Sequence, residues 1–372
     1  MSEPVLPAYR SGSLGDVLAG IGSHLGLPGC REDALDLPDG KRWVVLLVDG
    51  LGWQQTRAAM ARTPFLAGAI GHARAITAGV PSTTATSLTS LGTGLTPGQH
   101  GIAGYTFRNP HTKRIFSPLT WDSTTDPLAM QPMPTIFERA KSEGVSVTSV
   151  LPARFEGSGL TAVALRGGVF EGVVDEHDDA ARVQQVLRAA TTGDSSLVYV
   201  YERMLDHVGH GRGTASDQWV EELVRIDAFA DALREQLPED VRLVVTGDHG
   251  MVDVPTDHRL TMEDEPELMA GVELIGGEAR LRQLYTSSPD AVAARWTDRL
   301  GSLAWVRTRD EAHSEGWFGK LAPRVADQFG DVLVAMRDDW AVLTREVPGE
   351  FSLVGMHGSL TRAEMEIPLI CE

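Results

Sequence analysis

Cysteine is scarce in this 372-residue chain, and its two cysteines, Cys30 and Cys371, lie near opposite ends. This spacing gives no sign of a disulfide framework. No run of 18 apolar residues is present, so the sequence predicts no membrane span and no membrane partner. The first residues, MSEPVLPAYRSG, lack the basic and apolar regions of a signal peptide. Together these absences predict a soluble protein of the reducing cytoplasm.

Basic residues are also in short supply, with 33 Lys and Arg against 51 Asp and Glu and a net charge of −18. Proteins that bind long nucleic acids carry a basic face, so a polymeric nucleic acid is not an expected partner. The G-x-S-x-G motif of α/β-hydrolases is absent. The segment VDGLGW (48–53) does not supply the G-x-G-x-x-G of a dinucleotide-binding fold.

Several apolar runs rich in β-branched residues are present, and helical patterns lie between them. Such runs are typical of strands buried on both faces of a parallel sheet. The predicted strands are 43–48, 145–150, 197–201 and 243–246. Helices are predicted at 134–144, with Pro134 in the first turn, and at 216–235, with Ser216 as the N-cap. This alternation predicts an α/β fold with a mostly parallel central sheet flanked by helices.

The stretch 270–345 differs from the rest because short strand-like pieces surround its helical segments: ELIGG (273–277), WVRT (305–308), DVLVAM (331–336) and WAVLT (340–344). We expect it to form a small α+β subdomain inserted into a catalytic core made of residues 1–269 and 346–372. The chain returns to that core with GMHG (355–358) and the strand-like EIPLI (366–370).

Acidic and histidine side chains gather where the predicted strands end. They belong to the segments VVLLVDG (44–50), YVYERMLDHVGH (199–210), LVVTGDHG (243–250) and GMHG (355–358). In open α/β sheets, ligands bind beyond the carboxyl ends of the strands, so these side chains are expected to converge there. Asp and His without Cys are ligands for hard to borderline metals. The candidate metal ligands are Asp49, Asp206, His210, Asp248, His249 and His357.

A cluster of hydroxyl side chains occurs in VPSTTATS (80–87), directly before a helix-like segment. Thr83 or Thr84 can serve there as an ordinary helix N-cap. Either can also be a nucleophile at a helix N-terminus, where free N–H groups favour a phosphoryl group. A threonine hydroxyl needs activation, which a divalent metal can provide.

The order of these motifs resembles the nucleotide pyrophosphatase/phosphodiesterase branch of the alkaline phosphatase superfamily. Along the chain come a strand followed by Asp, then P-S-x-T, D-x-x-x-H, D-H-G and a late H-G. The match covers about residues 40–260 and the C-terminal segment. The resemblance implies an alkaline phosphatase-like core that holds two divalent metals, zinc first, with manganese or iron as alternatives.

Carried over residue by residue, the resemblance implies one metal held by Asp206, His210 and His357. A second metal would be held by Asp49, Asp248, His249 and the hydroxyl of Thr84. Thr84 occupies the fourth place of P-S-x-T and is the expected nucleophile, with Thr83 as the alternative. The implied reaction cleaves a phosphodiester or pyrophosphate bond through a phosphothreonine, and the substrate would be a small phosphate ester such as a nucleotide.

Two departures from the family pattern bear on the substrate. Ala85 stands where nucleotide-binding relatives often carry an aromatic residue, and Tyr105 stands near the place of a phosphate-binding Asn. Tyr105 is therefore a candidate substrate contact. The departures leave a phosphomonoesterase or a phosphonate hydrolase of the same superfamily as alternatives. A catalytically silent metal- or nucleotide-binding protein is an alternative of a different class.

Two other members of the superfamily are disfavoured by the residues around the hydroxyl cluster. A sulfatase would take its nucleophile from a C/S-x-P-x-R setting, which the chain lacks. A metal-dependent phosphoglycerate mutase would use Ser as nucleophile, with a larger insertion after it.

Overall fold

The structure is a computed structural model that describes residues 3–30 and 32–372. Its strands are β1 Arg42–Val48, β2 Arg74–Thr77, β3 Phe107–Arg108, β4 Ile115–Phe116, β5 Ser146–Pro152, β6 Val169–Val173, β7 Ser196–Glu202, β8 Val241–Gly247, β9 Val252–Asp253, β10 Arg259–Thr261, β11 Leu274–Glu278, β12 Leu281–Tyr285, β13 Ala304–Thr308, β14 Val332–Met336, β15 Ala341–Leu343, β16 Gly355–Met356 and β17 Glu366–Cys371.

The α-helices alternate with these strands over most of the chain. They are α1 Gly15–His24, α2 Trp53–Ala59, α3 Pro64–Ala69, α4 Thr84–Thr93, α5 Pro97–His100, α6 Pro127–Met130, α7 Ile136–Ser142, α8 Gly159–Ala164, α9 Asp179–Ala190, α10 Met204–Arg212, α11 Asp217–Gln236, α12 Pro266–Met269, α13 Pro289–Leu300, α14 Arg309–Ser314 and α15 Arg362–Met365. Among the described residues, no helix is both long and apolar enough to cross a lipid bilayer.

A seven-stranded sheet in the order β2-β17-β8-β1-β7-β5-β6 forms the centre of the molecule. Strands β8, β1, β7, β5 and β6 run parallel, whereas β17 runs antiparallel to both of its neighbours. The four predicted parallel strands and the strand at 366–370 are all present. The prediction of an α/β fold with a mostly parallel central sheet is confirmed.

Helices cover both faces of the sheet, and successive side chains along each strand point to opposite faces. Trp43, Val45 and Leu47 of β1 pack on one side, against a core that includes residues of α1, α4 and α7. Val44 and Leu46 pack on the other side, against residues of α9 and α11. This two-sided burial explains why β1 is a continuous apolar run in the sequence.

Strand register brings three site-bearing turns to the same edge of the sheet. Val48, the last residue of β1, pairs with Glu202 at the end of β7 and with Gly247 at the end of β8. Asp49 and Asp248 follow these strand ends directly, and α10 begins just past the end of β7. Asp49 and Asp248 therefore stand one residue past their strands, and Asp206 stands four residues past the end of β7.

Helix capping explains where two of the predicted helices begin. In α11 the side chain of Ser216 accepts a hydrogen bond from the backbone N–H of Trp219, as expected for its N-cap role. The helix predicted from Pro134 begins at Ile136 instead, because Thr135 and Glu138 form a capping box ahead of it. Pro134 therefore precedes the helix.

A second sheet, antiparallel and four-stranded in the order β11-β12-β14-β13, lies within residues 274–336. The sequence predicted strand character at three of its strands and missed β12. Buried ion pairs connect the start of β12 with the C-terminal part of the chain: Arg280, just before the strand, bonds Glu364 at 2.7 Å, and Arg282 within it bonds Glu350. The sheet supports our proposal of an inserted subdomain at 270–345 within a core of 1–269 and 346–372.

Candidate two-metal active site

A cavity of about 450 Å³ opens at the carboxyl ends of the central strands. The predicted site residues Asp49, Thr83, Thr84, Tyr105, Asp206, His210 and His357 all line it. The side chains of Asp248 and His249 are fully buried directly beside them. The structure thus brings together every predicted site residue.

The first compact group consists of Asp206, His210 and His357. Asp206 lies in the first turn of α10 and His210 lies one turn later, so both project from one face of the helix. Oδ2 of Asp206 is 3.3 Å from Nε2 of His210, and Oδ1 is 3.8 Å from Nε2 of His357. His357 arrives from the remote segment that follows β16. These three ligand atoms are close enough together to hold one metal ion.

The second compact group contains Asp49, His249 and again Asp206. Nε2 of His249 lies 3.5 Å from Oδ1 of Asp49 and 3.4 Å from Oδ2 of Asp248. The predicted ligand Asp248 therefore adjoins the second group by its contact with His249. Asp206 belongs to both groups. The rings of His249 and His357 stack with centroids 3.7 Å apart, so the two groups are immediate neighbours.

Thr84 is the first residue of α4, and its hydroxyl points into the second group. Its Oγ1 lies 3.3 Å from Oδ1 of Asp49 and 3.2 Å from Nε2 of His249. Thr83 is the N-cap residue, but its side chain makes no capping hydrogen bond and interacts with Glu278 instead. The two neighbouring hydroxyls thus point to different partners, and only that of Thr84 contacts the predicted metal ligands.

The three histidines are held in the form that suits metal binding. In each ring Nδ1 lies within hydrogen-bond distance of a backbone carbonyl, at 2.8 Å for His210 with Gly355, 3.0 Å for His249 with Gly250 and 3.0 Å for His357 with Ser82. A carbonyl accepts only from N–H, so the proton is on Nδ1 and the Nε2 lone pair is free. Those Nε2 atoms face the carboxylates.

The pKa shifts in the site show that its carboxylates repel one another, and a bound cation would relieve this repulsion. Burial raises the pKa of Asp49, and the nearby Asp248 and Asp206 raise it further. Burial also raises the pKa of Asp248. Burial, followed by His249 and His210, lowers the pKa of His357 well below its usual value, which keeps its imidazole neutral. Clustered carboxylates need positive charge to ionise together, and dications supply it.

The hydrogen bonds of the carboxylates also leave oxygens available for cations. Oδ1 of Asp248 accepts from the backbone N–H groups of Gly50 and His249, each at 3.0 Å. Oδ2 of Asp248 and Oδ1 of Asp206 have no hydrogen-bond partner among the described residues. A buried carboxylate oxygen without a donor is costly unless something binds it. The residues present therefore fit two divalent metals.

Sequence reasoning missed three residues of the site. Tyr201 donates a short hydrogen bond from its hydroxyl to Oδ2 of Asp49, and its position at the end of β7 could have indicated this contact. Glu278 and Glu350 also line the cavity, although no motif surrounds either of them.

The two departures from the family pattern occupy different environments. Tyr105 lines the cavity, and burial raises the pKa of its hydroxyl, which keeps the group a neutral hydrogen-bond donor. Ala85 is buried in the core and leaves the cavity without an aromatic surface at that position. Phe155 and Leu119 contribute apolar surface to the cavity.

Most of the chain matches one known protein family. Residues 43–360 match the family model described as type I phosphodiesterase/nucleotide pyrophosphatase. No curated protein matches the chain by sequence.

Solved structures extend the comparison to the fold. The structure of murine ectonucleotide pyrophosphatase/phosphodiesterase 5 is similar at a TM-score of 0.69 and 17% identity, covering 88% of this chain and 87% of that one. An inactive threonine-to-alanine variant of the murine protein, in complex with AMP, matches at a TM-score of 0.68 and 16% identity, covering 88% and 87%. Phosphonoacetate hydrolase from Sinorhizobium meliloti, in complex with phosphonoformate, matches at 0.70 and 19% identity, covering 92% of each chain.

Proposed function

The chain belongs to the type I phosphodiesterase/nucleotide pyrophosphatase family of the alkaline phosphatase superfamily, and we propose that it is a two-metal hydrolase of phosphodiester or pyrophosphate bonds. Thr84 is the proposed nucleophile, and a phosphothreonine is the proposed intermediate. The substrate would be a small phosphate ester, with a nucleotide as one candidate. The observation that carries the proposal is the position of the Thr84 hydroxyl, 3.2 Å from His249 and 3.3 Å from Asp49.

Two metals are part of this proposal, and zinc is the first candidate because Asp and His form the ligand set. Asp206, His210 and His357 would hold one ion, and Asp49, Asp248, His249 and Thr84 the other. When bound, the two ions supply charge stabilisation for the attacking and leaving oxygens and lower the pKa of a water molecule. Manganese and iron remain alternatives.

The protein's own groups would carry out the substitution at phosphorus. The bond from Oγ1 of Thr84 to phosphorus forms as the bond from phosphorus to the leaving oxygen breaks. Thr84 gives up its proton and the leaving group takes one up. Water then hydrolyses the phosphothreonine and restores the threonine hydroxyl, so each cycle consumes one water.

Charge on the phosphoryl oxygens would be stabilised by the N-terminus of α4. Thr84 occupies the first position of this ten-residue helix, whose initial N–H groups have no intrahelical partners. The helix dipole and these N–H groups favour an anion at this point. Tyr105, a neutral phenol at the cavity wall, is the proposed additional donor to a phosphoryl oxygen.

Hydrolysis of bis(4-nitrophenyl) phosphate by the zinc-loaded protein, repeated after EDTA, tests this function. We expect turnover that EDTA removes and zinc restores. Mass spectrometry of acid-quenched samples should find a 4-nitrophenyl phosphoryl group on Thr84, because only one of the two nitrophenolates leaves in the first step. Metal uptake without turnover of diesters, monoesters or phosphonates would instead support a catalytically silent binding protein.

Phosphonate hydrolysis is the second candidate activity. It is favoured by the missing aromatic side chain at Ala85 and by the fold shared with phosphonoacetate hydrolase. A phosphomonoesterase would use the same two metals and nucleophile. Relative kcat/KM for a diester, a monoester and phosphonoacetate separates the three activities, and we expect the diester to be preferred.

A further inference from the structure

The side chain of Glu202 is buried beside the active site and takes no part in the proposed reaction. Glu202 is the last residue of β7, and α10, which carries Asp206 and His210, begins two residues later. The exposed fraction of Glu202 is 1%. A buried carboxylate is costly unless its oxygens have partners, so the partners of Glu202 indicate its role.

One carboxylate oxygen of Glu202 holds the start of α10. Oε1 accepts a hydrogen bond at 2.9 Å from the backbone N–H of Met204, the first residue of that helix. The N-cap residue, Arg203, makes no side-chain capping hydrogen bond. The first N–H groups of a helix have no intrahelical acceptors, so Glu202 supplies the acceptor that Arg203 does not. Asp206 lies in this first turn and His210 lies one turn later, so a shift of the turn would move both.

The other carboxylate oxygen is held by arginines from two different helices. Oε2 of Glu202 lies 2.6 Å from Nη1 of Arg182 in α9 and 2.9 Å from Nη2 of Arg225 in α11. Arg182 is 2% exposed, and its guanidinium lies over the ring of Phe229, 4.4 Å from the centroid. Asp179 pairs with both arginines. Charge-assisted hydrogen bonds are strong and directional, so the carboxylate cannot turn away from α10 without losing them.

The backbone of Glu202 contacts the second group of proposed metal ligands. Its carbonyl accepts a hydrogen bond from the N–H of Asp49 at 2.7 Å. Asp206 and His210 are thus held through the carboxylate of Glu202, and Asp49 is held through its carbonyl. A substitution of the side chain removes only the first of these two contacts, which makes their effects separable.

We propose that Glu202 is a positioning residue that links α10 to α9 and α11 and so orients Asp206 and His210 for metal binding. This inference rests on the proposed function, because it concerns the same two-metal site. Metal ligands bind tightly when the groups behind them fix their orientation. Glutamine at this position would have nearly the same shape but only one acceptor oxygen for Met204 and the two arginines. Glu202→Gln should therefore leave either the helix or the arginines without an acceptor.

Zinc titration of the metal-free protein in competition with a chromogenic chelator tests this proposal without turnover. The wild type should bind two zinc ions per chain. In Glu202→Gln the affinity of one site should fall about tenfold, as loss of a supporting hydrogen bond does, and the affinity of the other site should change less. Wild-type affinity at both sites of a folded Glu202→Gln variant would overturn the proposal.

Asp227→Asn is the matched control for a general loss of stability. Asp227 is also a buried carboxylate at the start of a helix, and it accepts from the backbone N–H groups of Phe65 and Leu66 in α3, at 3.2 Å and 2.8 Å. This variant should have a lower Tm and unchanged zinc affinities. Equal losses of zinc affinity in Glu202→Gln and Asp227→Asn would mean that destabilisation alone is responsible, which would also overturn the proposal.

Arg225→Gln decides the question if Glu202→Gln does not fold. The side chain of Arg225 is 20% exposed, and Arg182 remains on Glu202 after its removal. Zinc affinity should fall at the same site by a smaller factor, and amide hydrogen exchange in EDTA should become faster over residues 203–212. Unchanged zinc affinity in this variant would then overturn the proposal. A wild-type protein that binds fewer than two zinc ions would instead contradict the proposed function.

Discussion

The hydroxyl oxygen of Thr84 lies 3.2 Å from Nε2 of His249, although the two residues are 165 positions apart in the chain. The carbonyl of Gly250 holds the proton of His249 on Nδ1, so the Nε2 lone pair faces the hydroxyl. The proposed nucleophile and a proposed metal ligand thus lie in contact with each other. This contact distinguishes Thr84 from Thr83, whose hydroxyl faces Glu278.

Replacing Thr84 by Ala should abolish turnover and leave the metal content near two zinc ions per chain. The nucleophile is lost, which should lower kcat at least about a thousandfold, whereas six side-chain ligands remain. Thr83→Ala is the matched control and should retain turnover. If Thr83→Ala were inactive and Thr84→Ala active, the assignment of the nucleophile would be reversed.

Replacing His357 by Ala should remove metal mainly from the group that contains Asp206 and His210. Metal analysis after gel filtration should fall from two zinc ions toward one per chain, because a three-residue site would keep only two ligands. His258→Ala is a suitable control, since His258 bonds Asp339 at 2.7 Å and stacks on Trp340. Two tightly held ions in the His357→Ala variant would disprove the role of the late H-G motif.

Tyr201 and Tyr199 offer a matched pair for testing the support of Asp49. Tyr201 donates to Oδ2 of Asp49, whereas the hydroxyl of Tyr199 has no hydrogen-bond partner among the described residues. Tyr201→Phe should weaken zinc binding or activity about tenfold to a hundredfold, as loss of a ligand's hydrogen-bond partner does. Tyr199→Phe should leave both near wild type. Similar effects of the two substitutions would show that the hydrogen bond to Asp49 is unimportant.

His100 should make the stability of the protein depend on pH. It is buried, its Nδ1 accepts from the N–H of Ile102, and its Nε2 lies 3.0 Å from the hydroxyl of Ser90. Burial, and then Arg324, lower its pKa from 6.5 to about 3. Between pH 6.5 and about pH 3, His100 is therefore protonated in the unfolded chain and neutral in the folded one. The contribution of neutral His100 to the stability of the fold is therefore fully present above pH 6.5 and is lost as the pH falls toward 3.

Denaturant unfolding in EDTA between pH 6.5 and 4 measures this effect. His100→Gln can keep both hydrogen bonds but cannot take up a proton. The free energy of unfolding of the wild type should fall more steeply than that of the variant, by about 1.4 kcal/mol per pH unit. Parallel curves for the two proteins would show that His100 does not contribute to acid sensitivity.

Residues next to predicted strands could be placed from the sequence alone. Asp49 and Asp248 follow apolar runs, and parallel register carries both to one edge of the sheet. Asp206 and His210 are one helical turn apart, so their common face follows from periodicity. The start of α7 was misplaced because the capping box of Thr135 and Glu138 was overlooked.

Residues that reach the site through the second sheet could not be predicted. Glu278 stands at the end of β11, and its approach to His357 depends on how that sheet packs against the central one. Strand β12, which carries Arg282 and directly follows Arg280, was missed because buried charges interrupt the apolar pattern there. Their partners, Glu364 and Glu350, are more than sixty residues away, beyond the reach of local patterns.

Anomalous diffraction at the zinc edge, from crystals of the zinc-loaded wild-type protein, tests the central claim most directly. Two peaks about 4 Å apart are expected, as in two-metal hydrolases. One should lie among Asp206, His210 and His357, and the other among Asp49, Asp248 and His249 beside the Thr84 hydroxyl. A single peak, or peaks outside these two groups, would contradict the account.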